Sequence, residues 1–261
     1  MIITAAFILQ PVLLAVLVFR FFRPKARTAG PVRFLLTLSA LLLLTGFVHR
    51  SILIRFAALT NTYEALVFFS LGILLILAVS SWMKRPPLPP AVVFGGVLLS
   101  LLLLALSSSP IAPSEVRPPV PALQSHWLVL HVALSFLGEA FFALAFVSSV
   151  LYLVSRKEEK RNEMDRLTYR VIAVGYPVYT IGALVFGAVW ASCAWGRFWS
   201  WDPKETWALV TVLVYTVYLH ARLIFRKKGK ALAWISVIGF AFTLFTFFGV
   251  NFLLAGLHSY R

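Results

Sequence analysis

Two kinds of residue in this 261-residue chain can do chemistry: the five histidines and a run of tryptophans. The stretch from Trp190 to Trp207 reads WASCAWGRFWSWDPKETW and holds Trp190, Trp195, Trp199, Trp201 and Trp207, five of the chain's eight tryptophans. Flat rings close together make a platform on which a planar, largely apolar ligand could stack. The competing reading is an aromatic belt at a membrane surface, where tryptophan is common. Within the stretch, Asp202-Pro203-Lys204-Glu205 has the form of a helix start. Asp202 can cap free backbone N–H groups, Pro203 suits the first helical position, and Glu205 completes a capping box. The structural role of Asp202 and Glu205 outweighs direct chemistry, and it would hold a tryptophan loop rigid.

The elements that must position these residues are membrane spans. Hydrophobic residues make up 61% of the chain and charged residues only 13%, too much apolar surface for a soluble domain of this length to hide. Apolar runs of about 20 residues recur, as in a polytopic helical membrane protein. The reading is all-α, a single integral membrane domain over 1–261 with eight spans: Ile2–Phe22, Phe34–Ile54, Tyr63–Met83, Ala91–Ser107, Leu123–Ser155, Arg170–Ser192, Pro203–Phe225 and Ala231–Leu257. The fifth is too long for one crossing and should project beyond the bilayer. The fourth connection, SSSPIAPSEVRPPVPA, should be irregular. The fifth, RKEEKRNEMDR, should be a solvated helical extension.

Eighteen of the 24 Lys and Arg residues fall on the odd-numbered connections and six on the other side. The odd connections are therefore expected to be cytoplasmic, with both termini and the tryptophan loop, 194–207, external. The same rule accounts for the net charge of +15 without nucleic acid. No cleavable leader is expected, since the first apolar run begins without a basic segment and ends in one. The single cysteine, Cys193, excludes an intramolecular disulfide and a cysteine-rich metal site; packing is its expected role. No phosphate-binding glycine loop and no acyl-transfer triad is present.

Imidazole is a common axial ligand for haem iron, and ionisable residues inside a membrane are functional candidates. At 1.5 Å rise per residue, His131 lies about 10 Å or less inside the external end of the fifth span, and His258 ends the eighth at the same face. These two could approach each other beside the tryptophans. His126 is five residues from His131, about 140° round the helix, and suits an interface role beside Trp127. His220 lies about 20 Å or more below the external end of its helix, in the inner leaflet. His49 is near the external end of the second span, so His49 and His220 differ too much in depth to pair easily. A haem partner for His220 would come from another chain. Glu64, in NTYEA, suits the first turn of the third span. Glu139 lies inside the fifth span and is costly there unless protonated or paired, most simply with a facing Arg or Tyr.

These residues resemble a known family. WGRFWSWDPKETWALVTVLVYTVYLHAR is similar to the tryptophan-rich "WWD" signature of haem-handling membrane proteins. Its DPKETW continuation and LHAR ending resemble the CcsA (ResC) branch of system II cytochrome c maturation. NTYEALVFFS, HWLVLHVALSF and GVNFLLAGLHSYR fit that branch too, so the likeness covers about 61–261. The CcmC branch, with a shorter chain and a different sequence after its aspartate, fits less well.

The resemblance implies a protein of a bacterial cytoplasmic membrane that takes haem b from the cytoplasmic side and presents it externally. His131 and His258 would be external haem ligands and His220 an intramembrane ligand, with Trp195, Trp199, Trp201 and Asp202 lining the haem edge. It implies two protein partners: a CcsB-type (ResB-like) subunit carrying the counterpart of His220, and an apocytochrome c with a CXXCH segment whose thiols add to the haem vinyls. Glu139 departs from the family pattern, and the first 60 residues match only loosely. The alternative functions are a HemX-like membrane regulator or haem sensor, and a secondary transporter without haem.

Overall fold

A segment crossing lipid has no hydrogen-bond partner for its backbone but itself, so each apolar run closes a helical ladder. The computed structural model describes residues 1–23, 28–83 and 88–254, and every regular element among them is helical. Eight helices among the described residues are long and apolar enough to cross a membrane. They fall into two compact units, Met1–Val120 and Pro121–Arg261.

The first unit holds α1 (Ile2–Phe22), α2 (Ala29–Ile54), α3 (Thr62–Trp82) and α4 (Pro90–Ser107). α1 packs on α2 and α4, and α3 packs on the same two, which closes a ring of four. Local chemistry sets the starts: the Asn61 side chain accepts the Glu64 N–H at 2.9 Å, and Pro90 opens α4 where no N–H is needed. Inside the ring, the hydroxyls of Ser70 and Ser100 meet at 2.7 Å, a polar tie between apolar helices. At one end the Arg50 guanidinium donates to Glu64 Oε1 at 2.8 Å and to the carbonyls of Ser114 and Glu115 at 2.9 and 2.8 Å. It also lies 4.7 Å from the Tyr63 ring centre. Glu64 is therefore half of a buried ion pair that pins α2, α3 and the fourth connection, as well as a first-turn acid.

The second unit holds α5 (His126–Val154) and a continuous 38-residue helix, Glu158–Trp195. That long helix is α6 (Glu158–Tyr179), a π segment (Thr180–Phe186) and α7 (Gly187–Trp195). α8 (Pro203–Leu223) follows, then α9 (Lys230–Leu244), a second π segment (Phe245–Gly249) and α10 (Val250–Leu253). Most of the RKEEKRNEMDR stretch forms the start of α6, the expected helical extension, about three turns ahead of the apolar run that begins near Arg170. α5 and α6 meet closely because glycine lines the seam. A Cβ at Gly138 would lie 2.5 Å from that of Tyr179, and one at Gly182 would lie 2.5 Å from the Ser135 nitrogen. Phe142 stacks on Tyr215 at 3.7 Å in the core between α5 and α8. At the basic end, Arg222 donates to Asp165 at 2.7 Å and so ties α8 to α6. The outward residues Leu213 and Val217 are more than half exposed, as a lipid-facing surface requires.

The fourth connection is irregular as expected, apart from turns and a single 3-10 turn at Pro121–Leu123. Ala255 to Arg261, which include the end of the expected eighth span and His258, lie outside the described residues.

Candidate functional site

The tryptophan loop is held by one carboxylate. α7 stops at Gly196, whose left-handed φ of +73° no other residue adopts so cheaply. Six residues later Asp202 opens α8 with the capping box read from the sequence: its Oδ1 accepts the Lys204 N–H at 2.9 Å. Glu205 Oε2 reaches back and accepts the Asp202 N–H at 3.2 Å, the Ser200 N–H at 2.8 Å and the Ser200 hydroxyl at 3.2 Å. Between the two clamped residues sits Trp201, at φ +58°. A bulky side chain in that region stores on the order of 1–3 kcal/mol. The clamps on either side impose it, and the result is an indole 70% exposed at the loop tip. Trp199 meets Trp201 edge-to-face at 5.6 Å.

His131 is oriented from the other side. Its Nδ1 lies 2.8 Å from the carbonyl oxygen of Gly182. A carbonyl can only accept, so Nδ1 carries the proton and the lone pair sits on Nε2. An N–H held by a backbone carbonyl is the usual outer support of an imidazole that binds metal, because it fixes the tautomer and raises basicity. Gly182 lies within the π segment, and its carbonyl also accepts the N–H of Gly187, five residues on. Such segments recur at functional sites. Gly187 itself leaves room for the ring: a Cβ there would lie 3.0 Å from His131 Nδ1. The imidazole lies parallel to Trp190, 8° between planes and 6.0 Å between centres, and Trp190 meets Trp195 at 4.8 Å.

His131, Trp195, Trp199, Trp201 and Asp202 therefore collect at one end of the second unit. Trp190 departs from the expected platform. It is 1% exposed, packs with Leu123 and Leu128, and donates Nε1–H to the Ala122 carbonyl at 3.2 Å. It backs the histidine and offers no ring face to a ligand. Cys193 departs from its expected packing role, because its side chain is exposed. Asp202 is buried and serves as the cap.

His220 is one turn from the far end of α8, exposed, with Nδ1 3.2 Å from the Thr216 carbonyl of its own helix. His126 is exposed at the first residue of α5. His49 belongs to the first unit, where it lines a cavity of about 570 Å³ with Arg50 and Tyr63. Among the described residues no three His, Cys, Asp or Glu side chains cluster as a metal site.

Two features escaped the sequence reading. The support of His131 by Gly182 joins residues 51 apart, with only Gly182 and Gly187 as a local sign. The second is a buried acid and base. Glu139 on α5 is 6% exposed with Oε2 lacking a hydrogen-bond partner, and Lys204 of α8 and Tyr179 of α6 lie within its electrostatic reach.

Comparison with known proteins agrees with this architecture. Residues 59–258 match the model of the family described as "Cytochrome C assembly protein". The chain is 37% identical over 254 residues to the "Cytochrome c biogenesis protein CcsA" of Heterosigma akashiwo, covering 79% of this chain and 77% of that protein. It is 39% identical over 213 residues to the protein of that name in Chlamydomonas reinhardtii, covering 77% and 60%. In Prochlorococcus marinus the values are 35% over 269 residues, covering 88% and 83%. Among solved structures it is similar to "Cytochrome c Heme Lyase CcmF" at a TM-score of 0.73 and 18% identity. That match covers 95% of this chain and 45% of the other, and it speaks to fold alone. The family match over most of the chain, with these relatives, places the chain in the cytochrome c assembly protein family, on its CcsA branch.

Proposed function

We propose that this protein works in cytochrome c maturation by holding haem b at the tryptophan-loop end of its second unit and presenting it to apocytochrome c. The carrying observation is the His131 imidazole, its tautomer set by the Gly182 carbonyl 2.8 Å away, beside a loop strained to expose Trp201. His131 supplies one axial nitrogen. His258 is the second in this reading, and Trp195, Trp199 and Trp201 line the porphyrin edge. The positive-inside rule puts this end on the external face, and the membrane is read as a bacterial cytoplasmic one. A CXXCH segment approaches from outside, and each thiol S–H adds across a vinyl C=C. The sulfur bonds to one carbon and the hydrogen goes to the other, so no atom is lost. The protein contributes position and control of the iron rather than acid–base chemistry.

His220 is the intramembrane ligand of this reading. Its exposure on a spanning helix supports a counterpart supplied by another protein, since an imidazole facing lipid is costly. A CcsB-type subunit is the proposed source. The test is a visible absorption spectrum of the chain purified with that subunit from haem-replete cells. A Soret band that His131→Gly abolishes and added imidazole restores is expected. A colourless wild-type complex overturns the reading and favours a regulator or transporter.

A further inference from the structure

A haem held as proposed has two edges with opposite needs. The vinyl edge must face the incoming thiols, so the opposite edge, which carries the two propionates, must face into the protein. Carboxylates taken out of water need a cation close by. On the loop side of the second unit, the Lys and Arg residues are Arg197, Lys204 and Arg261. Arg261 lies outside the described residues, and Arg197 is exposed on the loop. Lys204 is partly buried at the start of α8, with the acidic side chains of Asp202 and Glu139 within electrostatic reach.

Helix geometry fixes its level. Tyr179 lies against Gly138, with Glu139 and Thr211 of α8 among the groups near its hydroxyl, so these residues share about one depth. Seven residues along α8 from Thr211 to Lys204 rise about 10 Å, and eight along α5 from Glu139 to His131 rise about 12 Å. Lys204 and His131 thus lie at about one level, with Lys204 partly buried there. Neither Lys204 nor Glu139 is satisfied by the other. No close ion pair among the described residues includes Lys204 or Glu139, and Glu139 Oε2 is buried without a hydrogen-bond partner. A cation and an acid held near each other without contact, just inside the histidine, form a receptor for a third charged group.

We propose that Lys204 receives a propionate carboxylate of haem and that Glu139 is the counter-charge it has when no ligand is there. This rests on the haem reading above and adds the polarity of the bound porphyrin, propionates inward and vinyls at Trp199 and Trp201. Lys204 is then a binding residue. Glu139 acts through it and competes with the propionate for the ammonium.

The test is a Soret titration of the full chain with its CcsB-type partner, using haem b and its dimethyl ester, in which both propionates are methylated. Wild type should bind haem at least about tenfold more tightly than the ester, the scale of one lost charge-assisted contact. Lys204→Met should bind both with equal, ester-like affinity. Lys204→Arg should keep the preference, and Glu139→Gln should keep or enlarge it. Equal affinity of wild type for the two porphyrins overturns the propionate assignment and leaves the haem reading standing, as does a preference that survives Lys204→Met. A wild type that binds neither porphyrin overturns both. If Lys204→Met fails to fold, the Glu139→Gln titration decides, because a preference lost there also overturns the assignment.

Discussion

The two units of this chain treat their buried charged groups differently. In the first, every helix is regular, and the buried charge is closed on itself: Arg50 has its guanidinium shared among Glu64 and the carbonyls of Ser114 and Glu115. In the second, two spans are broken by π segments, Trp201 is held at positive φ, and Glu139 keeps a buried oxygen without a partner. Unpartnered buried polar atoms and positive φ occur in both units, at Gln10, Ser39 and Arg55 in the first as well as at Glu139 and Trp201 in the second, so the difference lies in the buried charges and the π segments. Both units are membrane-spanning helical bundles, so the contrast cannot come from environment. It is the contrast expected if the first unit is a scaffold and the second carries the proposed site.

Four substitutions test that separation. The largest effect is expected at His131→Gly, where haem retained by the purified complex should fall at least a hundredfold while thermal unfolding in detergent shifts little. Retained haem at wild-type level would remove the second unit's claim to the site. Next comes Glu64→Gln in the first unit. Breaking a buried pair costs about 3–5 kcal/mol, so the melting transition should drop sharply, while the protein that stays folded keeps its haem spectrum. A smaller effect of mixed sign is expected at Trp201→Gly. Glycine adopts positive φ freely, so stability should hold or rise by up to about 1 kcal/mol, whereas covalent attachment to a CXXCH-containing cytochrome should fall. An activity unchanged by this loss would make the strain incidental. The smallest is Ser70→Ala, which removes the hydroxyl contact with Ser100 and should cost about 0.6 kcal/mol with no change in haem absorption.

The sequence makes the spans legible because lipid imposes a length and a composition on each one separately, with no need to know its neighbours. The capping box at Asp202 and Glu205 is legible for the same reason, since its partners are three residues apart. What stays hidden depends on partners far along the chain. The Arg50 bonds to the fourth connection span 64 and 65 residues, and the support of His131 spans 51. Which tryptophans face inward is equally hidden. Trp190 and Trp201 are the same residue type within twelve positions, yet one backs a histidine at 1% exposure and the other projects at 70%. Burial there is decided by where α7 ends and which way the loop turns. Glu139 could be marked as costly from its place in an apolar run, but its neighbour Lys204 sits 65 positions away on another helix.

The oxygen of Gly182 serves two donors at once, a backbone N–H within its own helix and the ring of His131. Tightening that wide turn by one residue would pull the acceptor away from the ring and leave Nδ1–H without its brace. The electron density that Nε2 would give to the proposed haem iron is thereby tied to the winding of a helix, so a slip of register in one span would loosen that proposed grip without any side chain at the loop having to move.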